Sequence, residues 1–151
     1  MCVCLGARWE GIVAKAVSSL YRPGLRSKDW LKLKLKQRQE FVIAGWRPDP
    51  KTCAIKSLVL ATVDEGKLTL RGSVGTGFTL DQRHNLPSRF SPVRSRSNLS
   101  GRPGFIPLEP ELVAEIEYLE LSGDGIVRQP TFLGLRADKV AAEVGLDLTT
   151  P

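Results

Sequence analysis

Residues 30 to 36 alternate between apolar and basic side chains, and this alternation constrains the fold more than any other feature of the chain. The apolar positions are Trp30, Leu31, Leu33 and Leu35, and the basic positions are Lys32, Lys34 and Lys36. A period of two is typical of a strand with one buried and one solvated face. The lysines therefore recur about every 7 Å along one face, because a strand rises about 3.3 Å per residue. Such a row suits a polyanion such as phosphate, although a charged edge strand that resists aggregation has the same pattern.

Positive charge is concentrated in one part of the sequence. The formal net charge is +6, and residues 22–39 contain seven basic residues and one acidic residue, so the rest of the chain is neutral. A second basic run lies within residues 83–102. Local positive charge on an otherwise balanced protein is typical of binding to nucleic acids or nucleotide phosphates, although many charge runs are only solvated faces. We predict DNA contacts from residues of both runs: Arg22, Arg26, Lys28, Lys36, Arg94 and Arg96.

Composition excludes several classes of protein. A chain of 151 residues with 42% hydrophobic residues suits one domain, or a small domain with an appendage. No apolar run approaches the length that spans a bilayer, and the first residues lack the features of a signal peptide, so we expect a cytoplasmic protein without membrane contact. The three cysteines have no zinc-binding spacing, and their odd number argues against a disulfide framework.

Beyond residue 36 the pattern is that of short strands. A run of apolar and β-branched residues, often alternating, occurs in five segments: 40–46, 55–63, 67–74, 111–121 and 126–135. The two prolines within residues 47–50 predict a loop, and a tight turn at 64–66 predicts a hairpin over 55–74. Thr79 followed by Gln82 predicts a capped helix over 80–86 that Pro87 ends. Residues 88–107, rich in Ser, Arg, Pro and Gly, predict an exposed loop, and a short helix is expected at 140–144. Five strands with a helical or irregular connector after the third predict a mainly β, five-stranded oligonucleotide/oligosaccharide-binding (OB) barrel.

Two segments near the start carry a further pattern. Residues 10–15 read Glu-Gly-Ile-Val-Ala-Lys, a short strand with Glu10 before it and Lys15 after it, and residues 21–24 read Tyr-Arg-Pro-Gly. With Asp-Trp-Leu-Lys-Leu-Lys at 29–34, their order and spacing resemble motifs IV and V of the ATP-dependent DNA ligases. The likeness is greatest to the ligase domain of the bacterial nonhomologous end-joining enzymes. It continues through the strands to Arg-Ala-Asp-Lys at 136–139, which resembles motif VI.

The resemblance implies a role for several residues. Glu10 would help to bind a divalent metal, Mg²⁺ or Mn²⁺, and Lys32 and Lys34 would contact the phosphate of the nucleotide, ATP. Lys15 would lie near the same phosphates. Arg136 and Lys139 would orient the pyrophosphate of ATP, and Asp138 would hold one of them in place. Without the resemblance, residues 10–15 are a plain strand with charged ends and residues 136–139 a polar turn.

The nucleophile of the family is absent from the sequence. Ligase chemistry begins with the lysine of a Lys-x-Asp-Gly motif, which does not occur here, so we predict no catalytic residue. We expect a C-terminal fragment that cannot adenylate itself, with residues 1–36 as a remnant of the adenylation domain, 37–145 as the OB domain and 146–151 as a tail. Nicked or broken duplex DNA and an adenylation domain on another chain are the implied partners, in a bacterial, nucleoid-associated setting. The alternatives are a non-catalytic DNA-binding OB module and a degenerate remnant of a ligase.

Overall fold

A computed structural model of the chain describes residues 11–93 and 104–146. The described part is mainly β, as predicted, with one short α helix, α1 (Leu80–Asn85), and 3₁₀ helices at Leu86–Arg89 and Ala141–Glu143. The strands are β1 (Gly11–Lys15), β2 (Trp30–Lys34), β3 (Gln37–Pro48), β4 (Ile55–Asp64), β5 (Lys67–Val74), β6 (Ile106–Pro107), β7 (Val113–Tyr118), β8 (Glu120–Leu121), β9 (Val127–Arg128) and β10 (Thr131–Arg136).

The central sheet is antiparallel and has the strand order β10-β7-β3-β4-β5, with β6 paired to β3. Strand β3 lies in its middle and is buried on both faces, which explains its continuous apolar run. Phe41 and Ile43 point into the main core. Val42 packs in a second cluster with Ala141 and Val144, so the 3₁₀ helix near the end of the chain covers the other face of β3.

The strands of the central sheet do not close into a full barrel by pairing. Strands β5 and β10 stand at its two ends and form no ladder with each other. Instead, the segment after β5 spans the gap: the Phe132 amide donates to the Thr76 carbonyl oxygen (2.9 Å), and the Thr76 hydroxyl donates to the Pro130 carbonyl oxygen (2.8 Å). Gly77 has φ +92°, and a Cβ there would overlap the Phe132 carbonyl oxygen. Glycine therefore allows the two backbones to approach at this gap, in a sheet that is OB-like but not a closed barrel.

The hairpin and helix predictions agree closely with the structure. Strand β5 has the predicted bounds, and Glu65 and Gly66, both at positive φ, form the two-residue turn before it. The capping box of α1 is present, since the Thr79 hydroxyl accepts from the Gln82 amide (3.1 Å) and the Gln82 side chain accepts from the Thr79 amide (2.9 Å). The α helix ends at Asn85, but Pro87 lies within the following 3₁₀ helix, where a missing amide donor costs nothing.

Other boundaries were predicted wrongly. Strand β3 extends to Pro48, which still pairs with Ile55 beyond a bulge, because a proline at a strand end removes no essential ladder bond. The segments predicted as a fourth and a fifth strand are each divided, at Leu119 and at Gln129–Pro130 respectively, and their inner halves form the small β8–β9 hairpin. The helix expected at 140–144 is a 3₁₀ turn. The exposed loop expected at 88–107 includes strand β6.

Strands β1 and β2 form a separate antiparallel hairpin. The sequence predicted that the leucine face of residues 30–36 is buried, and this is wrong for the described part of the chain: Leu31 is 58% exposed and Leu33 45%. On β1, Ile12, the cross-strand partner of Leu33, is 55% exposed. A two-stranded ribbon has no second layer of its own, and the described residues do not provide one.

Candidate phosphate-binding site

The β1–β2 hairpin brings three predicted phosphate-binding lysines to one face. Lys15 is the cross-strand partner of Trp30, and Lys32 and Lys34 are the partners of Val13 and Gly11. Directly opposed residues of an antiparallel pair project to the same side, as do alternate residues of one strand. Lys15, Lys32 and Lys34 therefore share a side of the hairpin, which we call the lysine face.

Lys15 is held at the end of the lysine face by Trp30. Its ammonium lies 4.2 Å from the centroid of the Trp30 ring, within the range of a cation–π interaction. The indole in turn donates to the Ser19 hydroxyl (3.0 Å) and packs against the ring of Tyr21 at 5.7 Å. The connection between β1 and β2 thus fixes the position of the ring, and the ring fixes the ammonium.

Two lysines, Lys34 and Lys36, connect this region to the central sheet. The Lys34 ammonium donates to the Gln129 side-chain oxygen (2.9 Å). Lys36, which stays a predicted DNA contact, forms an ion pair of 2.6 Å with Glu117 on β7, and Arg38 on β3 pairs with the same carboxylate at 3.2 Å. The hydrogen bond from Lys36 lowers the pKa of Glu117 below its usual value. The basic run of residues 34–38 is therefore partly neutralised by the barrel.

The motif VI-like arginine lies among carboxylates. Asp138 accepts two hydrogen bonds from Arg136, at 2.9 Å from Nε and 2.8 Å from Nη2, so the prediction that Asp138 holds a neighbour is confirmed. Nη1 of Arg136 lies 3.4 Å from Glu40 and 3.6 Å from Glu115, and Lys139 lies 3.9 Å from Glu40. The hydrogen bonds with Arg136 lower the pKa of Asp138 to about 2, and those with Asp138 raise the pKa of Arg136 further above its already high value.

The structure does not bring the five predicted phosphate-binding residues together. On β10, Thr131 is opposite Glu117, near the hairpin, whereas Arg136 is opposite Val113 at the other end of β7. At about 3.3 Å per residue, the two ends of β10 are roughly 16 Å apart. Arg136 and Lys139 therefore form one group on the barrel, and the lysine face forms another.

The other residues predicted to bind DNA or metal lie on the β1–β2 connection or outside the described residues. Arg22, Arg26 and Lys28 are exposed on the connection between β1 and β2. Glu10, Arg94 and Arg96 lie outside the described residues. Within the described residues, no three His, Cys, Asp or Glu side chains are grouped so that they could hold a metal ion. None of the helices in that part of the chain has the length and apolar character needed to cross a membrane.

Sequence reasoning did not identify the barrel partners of these basic groups. Glu117, Glu40 and Glu115 reach their partners only through strand register, which no local motif encodes. Gln129 reaches Lys34 from the connection between β9 and β10. Its backbone there has φ +50°, a conformation that is uncommon for any residue other than glycine and that the sequence does not specify.

Comparison with known proteins now adds to this geometry. The family model for the C-terminal region of ATP-dependent DNA ligases matches residues 51–139. Among curated proteins, the multifunctional nonhomologous end-joining protein LigD of Mycolicibacterium smegmatis is 39% identical over 146 residues, which cover 91% of this chain and 19% of that protein. LigD of Pseudomonas aeruginosa is 38% identical over 146 residues, covering 89% of this chain and 17% of that protein.

A solved structure gives the same result for the fold. The ligase domain of LigD from M. tuberculosis superposes with a TM-score of 0.69 at 35% identity, over 92% of this chain and 48% of that chain. The chain belongs to the family of the C-terminal region of ATP-dependent DNA ligases, as the motifs indicated. The relatives named here are of the LigD type, and the sheet of this chain is OB-like. The chain spans about a fifth of the length of the curated relatives that it matches.

Proposed function

We propose that the chain is the DNA-binding and phosphate-binding C-terminal part of a nonhomologous end-joining DNA ligase, acting on nicked or broken duplex DNA. The observation that carries the proposal is the lysine face, with three ammonium groups on one side of a hairpin next to an OB-like sheet. The adenylated lysine would come from residues outside this sequence, in an adenylation domain on the same or another chain. The resulting protein would work in the bacterial cytoplasm, associated with the nucleoid.

The lysine face fits the phosphates of ATP. Lys32 and Lys34 are two residues apart on one strand, so they stand about 7 Å apart on the same side of the hairpin. They would neutralise phosphate charge as it develops, without donating or accepting a proton. ATP, when bound, supplies the adenylyl group. Glu10 would provide one oxygen ligand for Mg²⁺, the kind of ligand that this ion prefers, and Arg136 and Lys139 would orient the departing pyrophosphate.

Duplex DNA would approach from the exposed connection between β1 and β2. Arg22, Arg26 and Lys28 are exposed there, and Lys36 would join them after leaving Glu117. We assign the same role to Arg94 and Arg96. Contacts of this kind bind the phosphate backbone and carry no sequence information, as expected for an enzyme that must join any two ends.

The test is binding to a nicked duplex as a function of salt concentration. Lys32→Ala/Lys34→Ala should weaken binding about tenfold at low salt and make the slope of log K against log [salt] shallower by about 2. The matched control is Lys51→Ala/Lys67→Ala, which removes the same charge from two exposed lysines outside the lysine face. Equal losses in the two double variants would contradict the proposal.

A second candidate function is that of a DNA-binding OB module without a part in catalysis. The observation that favours it is the engagement of Arg136 by carboxylates far from the lysine face. Labelled ATP and Mg²⁺, added with the separately produced part of the M. smegmatis relative that this chain does not cover, distinguish the two candidates. Nick joining that depends on this chain supports the ligase function, and nick binding without joining supports the module. Covalent label on this chain alone would contradict an external nucleophile.

A further inference from the structure

The surroundings of Arg136 are unusual for a residue that must bind phosphate. Its Nε and Nη2 donate to Asp138, and its Nη1 faces both Glu40 and Glu115. Each of the three guanidinium nitrogens thus faces a carboxylate. The three carboxylates come from three places in the fold: β3, β7 and the segment that follows β10.

Two of these carboxylates would repel each other without Arg136. Glu40 and Glu115 are direct cross-strand partners on β3 and β7, and like charges in that relationship destabilise a sheet. The Arg136 side chain lies against both, with Lys139 near Glu40. The arginine therefore neutralises a pair of charges that the register forces together.

In this position Arg136 is already engaged by carboxylates, so an anion must compete with them to bind it. Three carboxylates surround two cations here, so the local charge is negative and a phosphate would be repelled. The guanidinium also has no nitrogen that faces away from a carboxylate. Asp138 is only two residues from Arg136, so it would move together with Arg136 if that side chain left the sheet. Glu40 and Glu115 lie on strands of the sheet and would keep their positions.

We propose that Glu40 and Glu115 are positioning residues that hold Arg136 on the barrel surface and give it up when a nucleotide phosphate competes for it. This inference rests on the proposed function only in taking a nucleotide phosphate as the competitor. The two glutamates do not touch the phosphate. They set how readily Arg136 leaves the sheet, and they keep the barrel from attracting anions before the rest of the site is assembled.

The test uses the full chain and inorganic tripolyphosphate, titrated by calorimetry. Glu40→Gln/Glu115→Gln should bind tripolyphosphate about tenfold more tightly than the unaltered chain, because two like charges beside Arg136 are removed. The control Glu65→Gln/Glu120→Gln changes the net charge equally and frees Arg128 from its 2.6 Å ion pair with Glu120. We expect less than a threefold gain from that control. In an Arg136→Ala background, the gain from Glu40→Gln/Glu115→Gln should disappear.

Three outcomes would overturn the proposal: no gain in the double variant, the same gain in the control, or a gain that persists in Arg136→Ala. If the double variant does not melt cooperatively, Glu40→Gln and Glu115→Gln are tested singly, each with an expected gain of about threefold. Glu40→Asp/Glu115→Asp keeps both charges and should restore the affinity of the unaltered chain. The nicked-duplex test depends on Lys32 and Lys34, so its failure would remove the proposed function and leave the Arg136 result standing.

Discussion

The ammonium of Lys34 lies 2.9 Å from the side-chain oxygen of Gln129, 95 positions further along the chain. One partner belongs to the lysine face and the other to the connection between β9 and β10. Gln129 makes this contact from a backbone with φ +50°, a conformation that costs a non-glycine residue about 1–2 kcal/mol. If the lysine face binds phosphate as we propose, this contact would compete with phosphate for one of its three ammonium groups.

Changing Gln129 should therefore change phosphate binding at a distance from the lysines themselves. Gln129→Glu places a carboxylate beside Lys34, and we expect nicked-duplex binding to weaken about threefold to tenfold because the new ion pair holds the ammonium more strongly. Gln129→Gly removes the side chain and suits the positive φ, so binding should equal or exceed that of the unaltered chain. Fluorescence anisotropy at low salt measures both. Weaker binding by Gln129→Gly than by Gln129→Glu would refute this account.

The approach of the segment after β5 to the start of β10 depends on Gly77. An alanine there would combine a backbone at φ +92° with an overlap against the Phe132 carbonyl, for a loss of about 3 kcal/mol in the free energy of unfolding. Gly66→Ala is the matched control: φ is +75° at that turn, but no atom lies within 4 Å of the added Cβ, so about 1 kcal/mol is expected. Urea unfolding of both variants gives the two values. Equal losses would mean that the approach of Gly77 to Phe132 does not stabilise the barrel.

Much of the fold could be predicted because its signals are local. The bounds of β5 follow from alternation next to a turn of the type that a two-residue hairpin requires, and α1 begins where the spacing of Thr79 and Gln82 places a capping box. The divided strands were missed because Gln129 and Pro130 interrupt pairing through a backbone conformation that the sequence does not specify. The exposed leucines of β2 were missed because alternation reports which residues share a face, not whether anything covers it.

The site could be predicted only in part. The alternation of apolar and basic residues in 30–36 places Lys32 and Lys34 on one side of a strand. The two-residue spacing of Arg136 and Asp138 allows the hydrogen bonds between their side chains. The engagement of Lys36 by Glu117 and of Arg136 by Glu40 depends on register between strands far apart in the chain. Such pairings are encoded by the whole sheet, so no reading of a local motif could have supplied them.

The ion pair between Arg136 and Asp138 should make the thermal stability of the protein depend on pH in the acidic range. The folded-state pKa of Asp138, about 2, is lower than its ordinary value of 3.8 because Arg136 donates to it. Since the folded pKa is the lower one, this stabilisation is fully present above about pH 4 and is lost as the pH falls towards 2. In Asp138→Asn it is absent at every pH. Thermal melts of both proteins should therefore differ at pH 6 and converge by pH 2, whereas a constant difference would contradict the assigned pair.

The pairing of Glu117 with Lys36 and Arg38 gives the last prediction. The carboxylate holds two cations, one of which we assign to DNA, so Glu117→Gln should release them towards the phosphate backbone. We expect nicked-duplex binding to tighten about threefold to tenfold and the salt dependence to steepen by about 1, the slope of one additional phosphate contact. Glu120→Gln, which also frees an arginine but near the β8–β9 turn, is the control and should leave the slope unchanged. An unchanged slope in Glu117→Gln would mean that Lys36 joins the hairpin to the barrel and does not contact DNA.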